Sequence, residues 1–148
     1  MVLMKLNRVD GSGSSSNLVD LSTHDLFLRF SKDFRREEGF SLNYEIVDRN
    51  GEEFFRLRYE EAAEFLLTKD YRDNWESEMH ERFCFWSYSD WVKALKEAGF
   101  EVDGRSSVFT NPWIEENRFE GKAELFTEFG EPLEYPPTNC ILIARKKI

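Results

Sequence analysis

One histidine stands among acids and aromatics: His80, in the stretch 70–85, DYRDNWESEMHERFCF. Glu78 and Glu81 flank it. An imidazole, with an ordinary pKa of about 6.5, can take up and return a proton near neutrality, so His80 is a candidate general base. It reads equally well as an exposed helix residue, and the sequence leaves both open. Zinc is not indicated, because His24, His80, Cys84 and Cys140 have no ligand spacing. Glu60, Glu61 and Glu64 resemble paired carboxylates, but adjacent helix positions do not face each other. They read as the solvated side of a helix. The glycines of 10–17, DGSGSSSN, lack the G-x-x-x-x-G-K-[ST] pattern of a phosphate loop, so this stretch reads as a flexible linker. No G-x-S-x-G or Cys–His signature suggests a stand-alone hydrolase.

A chain of 148 residues predicts a single domain with a core of its own. The net charge of −9 disfavours a general nucleic-acid or anionic-membrane surface, since phosphate binding needs a dense basic patch. Arg56, Arg58 and Lys69 are the residues around which a local basic patch could form; a solvated charged face is the competing reading. The two cysteines predict free, buried thiols and a cytoplasmic setting. No apolar run approaches the roughly 20 residues a bilayer requires, and MVLMKLNRVD is too short and mixed for a signal peptide.

The elements that must position these groups are legible. Val2–Val9 predicts a buried strand, whose neighbours must come from later in the chain or from another molecule. Ser22–Glu38 predicts a helix capped by Ser22 and Asp25, with Leu26, Phe27, Phe30 and Phe34 facing the core and Gly39 as its stop. Ser41–Val47 and Glu53–Leu57 flank Asn50-Gly51, a strong hairpin cue. Tyr59–Lys69 predicts a second helix. Ser87 and Asp90 form a capping box for a third, with Tyr88, Trp91, Val92 and Leu95 on one face, and Ala98-Gly99 ends it. The strand of Phe100–Asp103 continues to Phe109. Pro112 opens a short helix to Asn117, Lys122–Phe129 is extended, Tyr135-Pro136-Pro137 is stiff, and Thr138–Arg145 predicts a strand buried on both faces.

The order strand, helix ending A-G-F, strand and final antiparallel strand resembles the C-terminal portion of a class I S-adenosylmethionine-dependent methyltransferase. Met1–Val9, Phe100–Phe109 and Asn139–Lys146 are similar to that family's fifth, sixth and seventh strands, the last inserted antiparallel between the other two. D-L-F-L-R-F (Asp25–Phe30), N-P-W-I-x-E-N-R (Asn111–Arg118) and Y-P-x-T-N (Tyr135–Asn139) resemble a bacterial-type subgroup with a long insertion before the last helix. The implied fold is α/β, α+β-like as a fragment: a partial Rossmann-like sheet at 1–9 and 87–148, a flexible loop at 10–21, and an inserted lid at 22–86. The glycine-rich cofactor loop has no counterpart here.

The resemblance therefore implies a substrate-recognition and lid part, not catalytically competent alone. S-adenosylmethionine would belong to a complete enzyme, whose cofactor-binding half would be a partner chain or missing segment. Tyr71, Trp75, Trp86 and Trp113 would line the lid. Asn111, Asn117 and Arg118 would orient polar groups of a small-molecule substrate, and His80 would be the base. The rival reading is a stand-alone α+β interaction module. It would form a homodimer or pair with another chain through an exposed sheet edge, at Val2–Val9 or Phe100–Phe109.

Overall fold

The computed structural model describes residues 1–11, 18–83 and 86–148. Its centre is β1 (Val2–Leu6), which alternates between the two faces of a five-stranded antiparallel sheet. One neighbour is β3 (Glu52–Leu57), where Met4 lies opposite Phe55. The other is β6 (Ala123–Thr127), where Met4 lies opposite Leu125. β2 (Tyr44–Arg49) and the two-residue β7 (Pro132–Leu133) form the outer positions, giving the order β2-β3-β1-β6-β7. The Asn50-Gly51 hairpin joins β2 to β3 as read from the sequence. Both residues have positive φ, 57° and 82°, the geometry a two-residue turn of this twist requires.

Helix α1 (Thr23–Asp33) and helix α2 (Tyr59–Thr68) supply the apolar side chains that cover one face of this sheet. Ser22 caps α1, its hydroxyl accepting from the Asp25 N–H. Phe27 is the hub of the core. Its ring meets Phe55 at 4.5 Å, Phe65 at 5.1 Å and Tyr44 at 5.2 Å between centroids. The helix expected to reach Glu38 stops at Asp33. Arg35 takes a left-handed φ of 52°, and its N–H donates to the Met79 carbonyl. The break leaves Phe34 stacked on Phe30 at 4.7 Å and edge-on to Phe40. Tertiary contacts thus outweigh the helical periodicity of the last turn.

After α2 the chain makes a 3-10 turn, Arg72–Asn74, and the one-turn α3 (Trp75–Glu78). Arg72 donates to the carbonyls of Leu18, Val19 and Leu21 and so ties the segment before α1 to this turn. Then α4 (Tyr88–Glu97) has the capping box read from Ser87 and Asp90, and Gly99 follows at φ 91°. The strand expected over 100–109 is two strands, β4 (Phe100–Val102) and β5 (Ser107–Phe109). Between them Asp103 caps a turn through Arg105 and Ser106. Helix α5 (Pro112–Ile114) runs into a π turn, Glu115–Phe119.

The closing strand is likewise split, into β8 (Asn139–Ile141) and β9 (Ala144–Lys146). These pair antiparallel with β5 and β4 respectively. The pairing of the last two predicted strands is therefore antiparallel as expected. The sheet order is not. The closing strand does not lie beside β1, because β3 and β6 occupy both β1 edges. Nor is it buried on both faces: every residue of β8 and β9 is exposed. An apolar run forecasts burial only where a second layer exists to cover it.

Replacing Phe27 with alanine should cost about 3–5 kcal/mol, because several rings lose their common neighbour at once. Urea unfolding monitored by circular dichroism measures it; a loss under about 1 kcal/mol would show that Phe27 is not the hub.

Candidate functional site

A cleft of about 610 Å³ opens between α2, the start of α4 and the segment Pro136–Cys140. That size suits a small organic molecule. Leu66 and Leu67 of α2 form part of the floor, and Tyr71, Phe83 and Trp86 form the wall nearest the inserted region. Tyr71 stacks on Phe83 at 5.8 Å, and Trp86 meets Trp91 edge-on at 4.6 Å. Pro136 and Pro137 supply a stiff opposite rim beside Val108.

Among the described residues, the one cation on the lining is Arg118. Its guanidinium carbon lies 5.4 Å from the Tyr71 ring centroid and 5.6 Å from that of Trp113. Trp113 itself stands outside the lining, more than half exposed, and reaches the cleft only through this contact. Of the residues singled out in the sequence, Tyr71, Trp86 and Arg118 are brought together here, with Trp113 behind.

The others lie elsewhere. Trp75 is buried in the core, and its indole N–H donates to Asp33 at 2.9 Å. His80 is half-exposed and off the cleft lining, its Nε2 3.7 Å from Glu37. Asn111 caps α5, its side-chain oxygen accepting from the Trp113 N–H at 2.9 Å. Asn117 donates to the Trp113 carbonyl at 2.9 Å. Both amides thus serve their own helix. The sequence passed over Phe83, Trp91, Val108 and the proline pair as cleft residues. Trp91 carried a signal, an indole on a helical stripe, but that stripe reads equally as ordinary core.

Two burial expectations change. Glu64 is buried rather than solvated, and accepts the Phe83 N–H at 3.0 Å. That bond ties the cleft wall at Phe83 to α2. Cys140 is exposed rather than buried, because β8 has no covering layer; Cys84, and residues 12–17 of the polar loop, lie outside the described residues. The basic patch around Arg56, Arg58 and Lys69 does not form. Arg56 pairs with Glu45 and Glu128, Arg58 with Glu60, and Lys69 is buried. Among the described residues no group of three or more His, Cys, Asp or Glu gathers to hold a metal, and no helix is long and apolar enough to cross a membrane.

The Lys69 ammonium donates to both oxygens of Asp70, at 3.1 and 2.9 Å. Burial still dominates and holds its pKa below the ordinary 10.5. A lysine depressed in the folded state is protonated more readily in the unfolded one. Between the folded value and 10.5 the unfolded chain therefore binds more protons, and stability rises with pH across that window. The urea midpoint of the native chain, relative to that of Lys69→Met, should climb as pH is raised towards 10.5. Parallel curves for the two proteins would remove Lys69 as the source. No protein-family model matches this sequence, and neither a curated protein nor a solved structure shows significant similarity to it.

Proposed function

We propose that this chain is the substrate-recognition and lid part of a methyltransferase-like protein of the class I S-adenosylmethionine-dependent type, competent only with a cofactor-binding half. The observation that carries the reading is the aromatic cleft. It is walled by the inserted region on one side and by Pro136–Cys140, beside the helix–strand unit, on the other. Methyl transfer is an in-line displacement, so catalysis is largely alignment and exclusion of water. Rings that close over a flat substrate serve both ends. The antiparallel pairing of 100–109 with 139–146 adds support, as does the resemblance of Asn111–Arg118 and Tyr135–Asn139 to the subgroup.

The residues present do not fit the cofactor itself. In the family that this chain resembles, the glycines let the backbone approach the cofactor between a strand and the helix that follows it. Here Gly51 joins β2 to β3, Gly99 follows α4, Gly104 joins β4 to β5 and Gly130 joins β6 to β7, so none of these opens a helix, and the point a Gly11 Cβ would take is filled by backbone at Asp20–Ser22. The role left to this chain is to hold the acceptor and keep water out.

A second reading, an interaction module, draws on a different observation. Trp91, Val108, Phe109 and Ile141 are each 40–48% exposed, on the α4 unit and the β5–β8 ladder. Each short ladder has two strands, and so open edges among the described residues.

Isotope-labelled chain titrated with S-adenosylmethionine should show no saturable amide shifts below millimolar ligand. The neutral probe 3-methylindole should shift the amides of Tyr71, Phe83 and Trp86. Saturable cofactor binding in the micromolar range would defeat the lid reading. Light scattering during size exclusion separates the two readings further: a stable dimer converted to monomer by Ile141→Glu favours the module.

A further inference from the structure

We propose that the cleft selects a flat, apolar ligand bearing an anionic oxyacid group, carboxylate or phosphate, and that Arg118 is its charge anchor. This rests on the substrate-side reading and names the class of substrate.

The argument starts from what Arg118 does not do. In a chain of net charge −9, acids are abundant, and most arginines have found one. Arg8 pairs with Glu53, Arg29 with Asp33, Arg35 with Glu38, Arg105 with Asp103 and Arg145 with Glu101. Arg118 meets ring faces instead, and among the described residues no carboxylate lies within ion-pair distance of it. The single acid on the described lining, Glu60, is 3.7 Å from Arg58 and two-thirds exposed. Among the described residues, the cleft therefore holds a half-buried cation with no carboxylate in ion-pair contact, beside an apolar wall.

The backbone places it there. The Glu120 N–H donates to the Glu115 carbonyl at 2.9 Å, closing a π turn. Such turns hold an extra residue per turn and recur at functional sites. Here the turn buries Phe119 completely while its neighbour Arg118 faces the cleft. The Tyr71 and Trp113 rings then hold the guanidinium by cation–π contact, leaving its N–H fork to a ligand. That planar fork matches two oxygens of a carboxylate or phosphate. A cationic ligand would meet the same charge as repulsion.

The test compares probes of similar ring size on the labelled full chain, read from shifts of the cleft amides and of the Trp86 indole N–H. Indole-3-acetate or indoxyl phosphate should bind at least about tenfold more tightly than tryptamine, and the stronger of the two identifies the head group. Arg118→Met should erase that preference while 3-methylindole still shifts the amides of Tyr71, Phe83 and Trp86. Arg118→Lys should restore part of it. Should the methionine variant lose its native spectrum, salt gives the same answer in the native chain. Raising NaCl to about 1 M should weaken the anionic probes and not 3-methylindole. Equal affinity for anion and cation, a preference that survives Arg118→Met, or no probe binding in the cleft would each overturn the proposal. If 3-methylindole binds without a charge preference, only this inference fails. If S-adenosylmethionine binds in the micromolar range, the lid reading fails while the anion preference is measured independently.

Discussion

Both edges of β1 are taken, and the rest of the molecule follows from that. A strand has two hydrogen-bonding edges and two faces. β3 and β6 fill the edges, and the rings of α1 and α2 cover one face. Met4 is completely buried at the crossing of these elements. With Phe27 against Phe55 and Phe65, the sheet and its two helices share one apolar interior. Nothing later in the chain can add a strand beside β1. The closing segment must pair with β4 and β5 instead, away from that interior.

Burial follows this division. The core residues come from β1, β3, β6, α1 and α2, joined by Phe34 and Leu42 after α1 and by Trp75, Met79 and Phe119. No residue of α4 is buried, although its caps are well formed and its apolar stripe is regular. Local capping makes α4 a good helix, and packing is what would make it a core element. The cleft lies along the seam between the well-buried part and the thinly covered part, where the rings of Tyr71, Phe83 and Trp86 cannot all be enclosed by one side.

What the sequence revealed tracks how local each signal was. The Ser22 and Ser87 caps, the Asn50-Gly51 turn and the Pro112 helix start each depend on a few adjacent residues, and each is present. Strand partners and burial depend on distant segments. That is why Thr138–Arg145, apolar by composition, is exposed, and why Glu64, polar by composition, is buried. The helix end at Asp33 belongs to the same class: Phe34 stays in a helical pattern until Met79, far along the chain, offers a better bond to Arg35. Within the site, Tyr71 and Trp86 are legible as rings in and beside the irregular stretch 70–85, and Arg118 as part of the N-P-W-I-x-E-N-R stretch that carries the resemblance. Trp75 shares their chemistry and neighbourhood, yet the Asp33 carboxylate draws its indole into the core.

The two amides beside the site show how one motif divides its work. Asn111 and Asn117 sit in the same N-P-W-I-x-E-N-R stretch as Arg118, and all three read as polar contacts for a ligand. A side-chain amide near a helix end has unsatisfied backbone groups within reach, and both asparagines bond to them. A guanidinium has no acceptor capacity and cannot cap the helix start at Asn111. The asparagines therefore fix the shape of the turn, and of the three residues the arginine is the one on the cleft lining. Stiffening the turn with its own amides holds the guanidinium in place before any ligand arrives, which lowers the ordering cost that a long side chain otherwise imposes on binding.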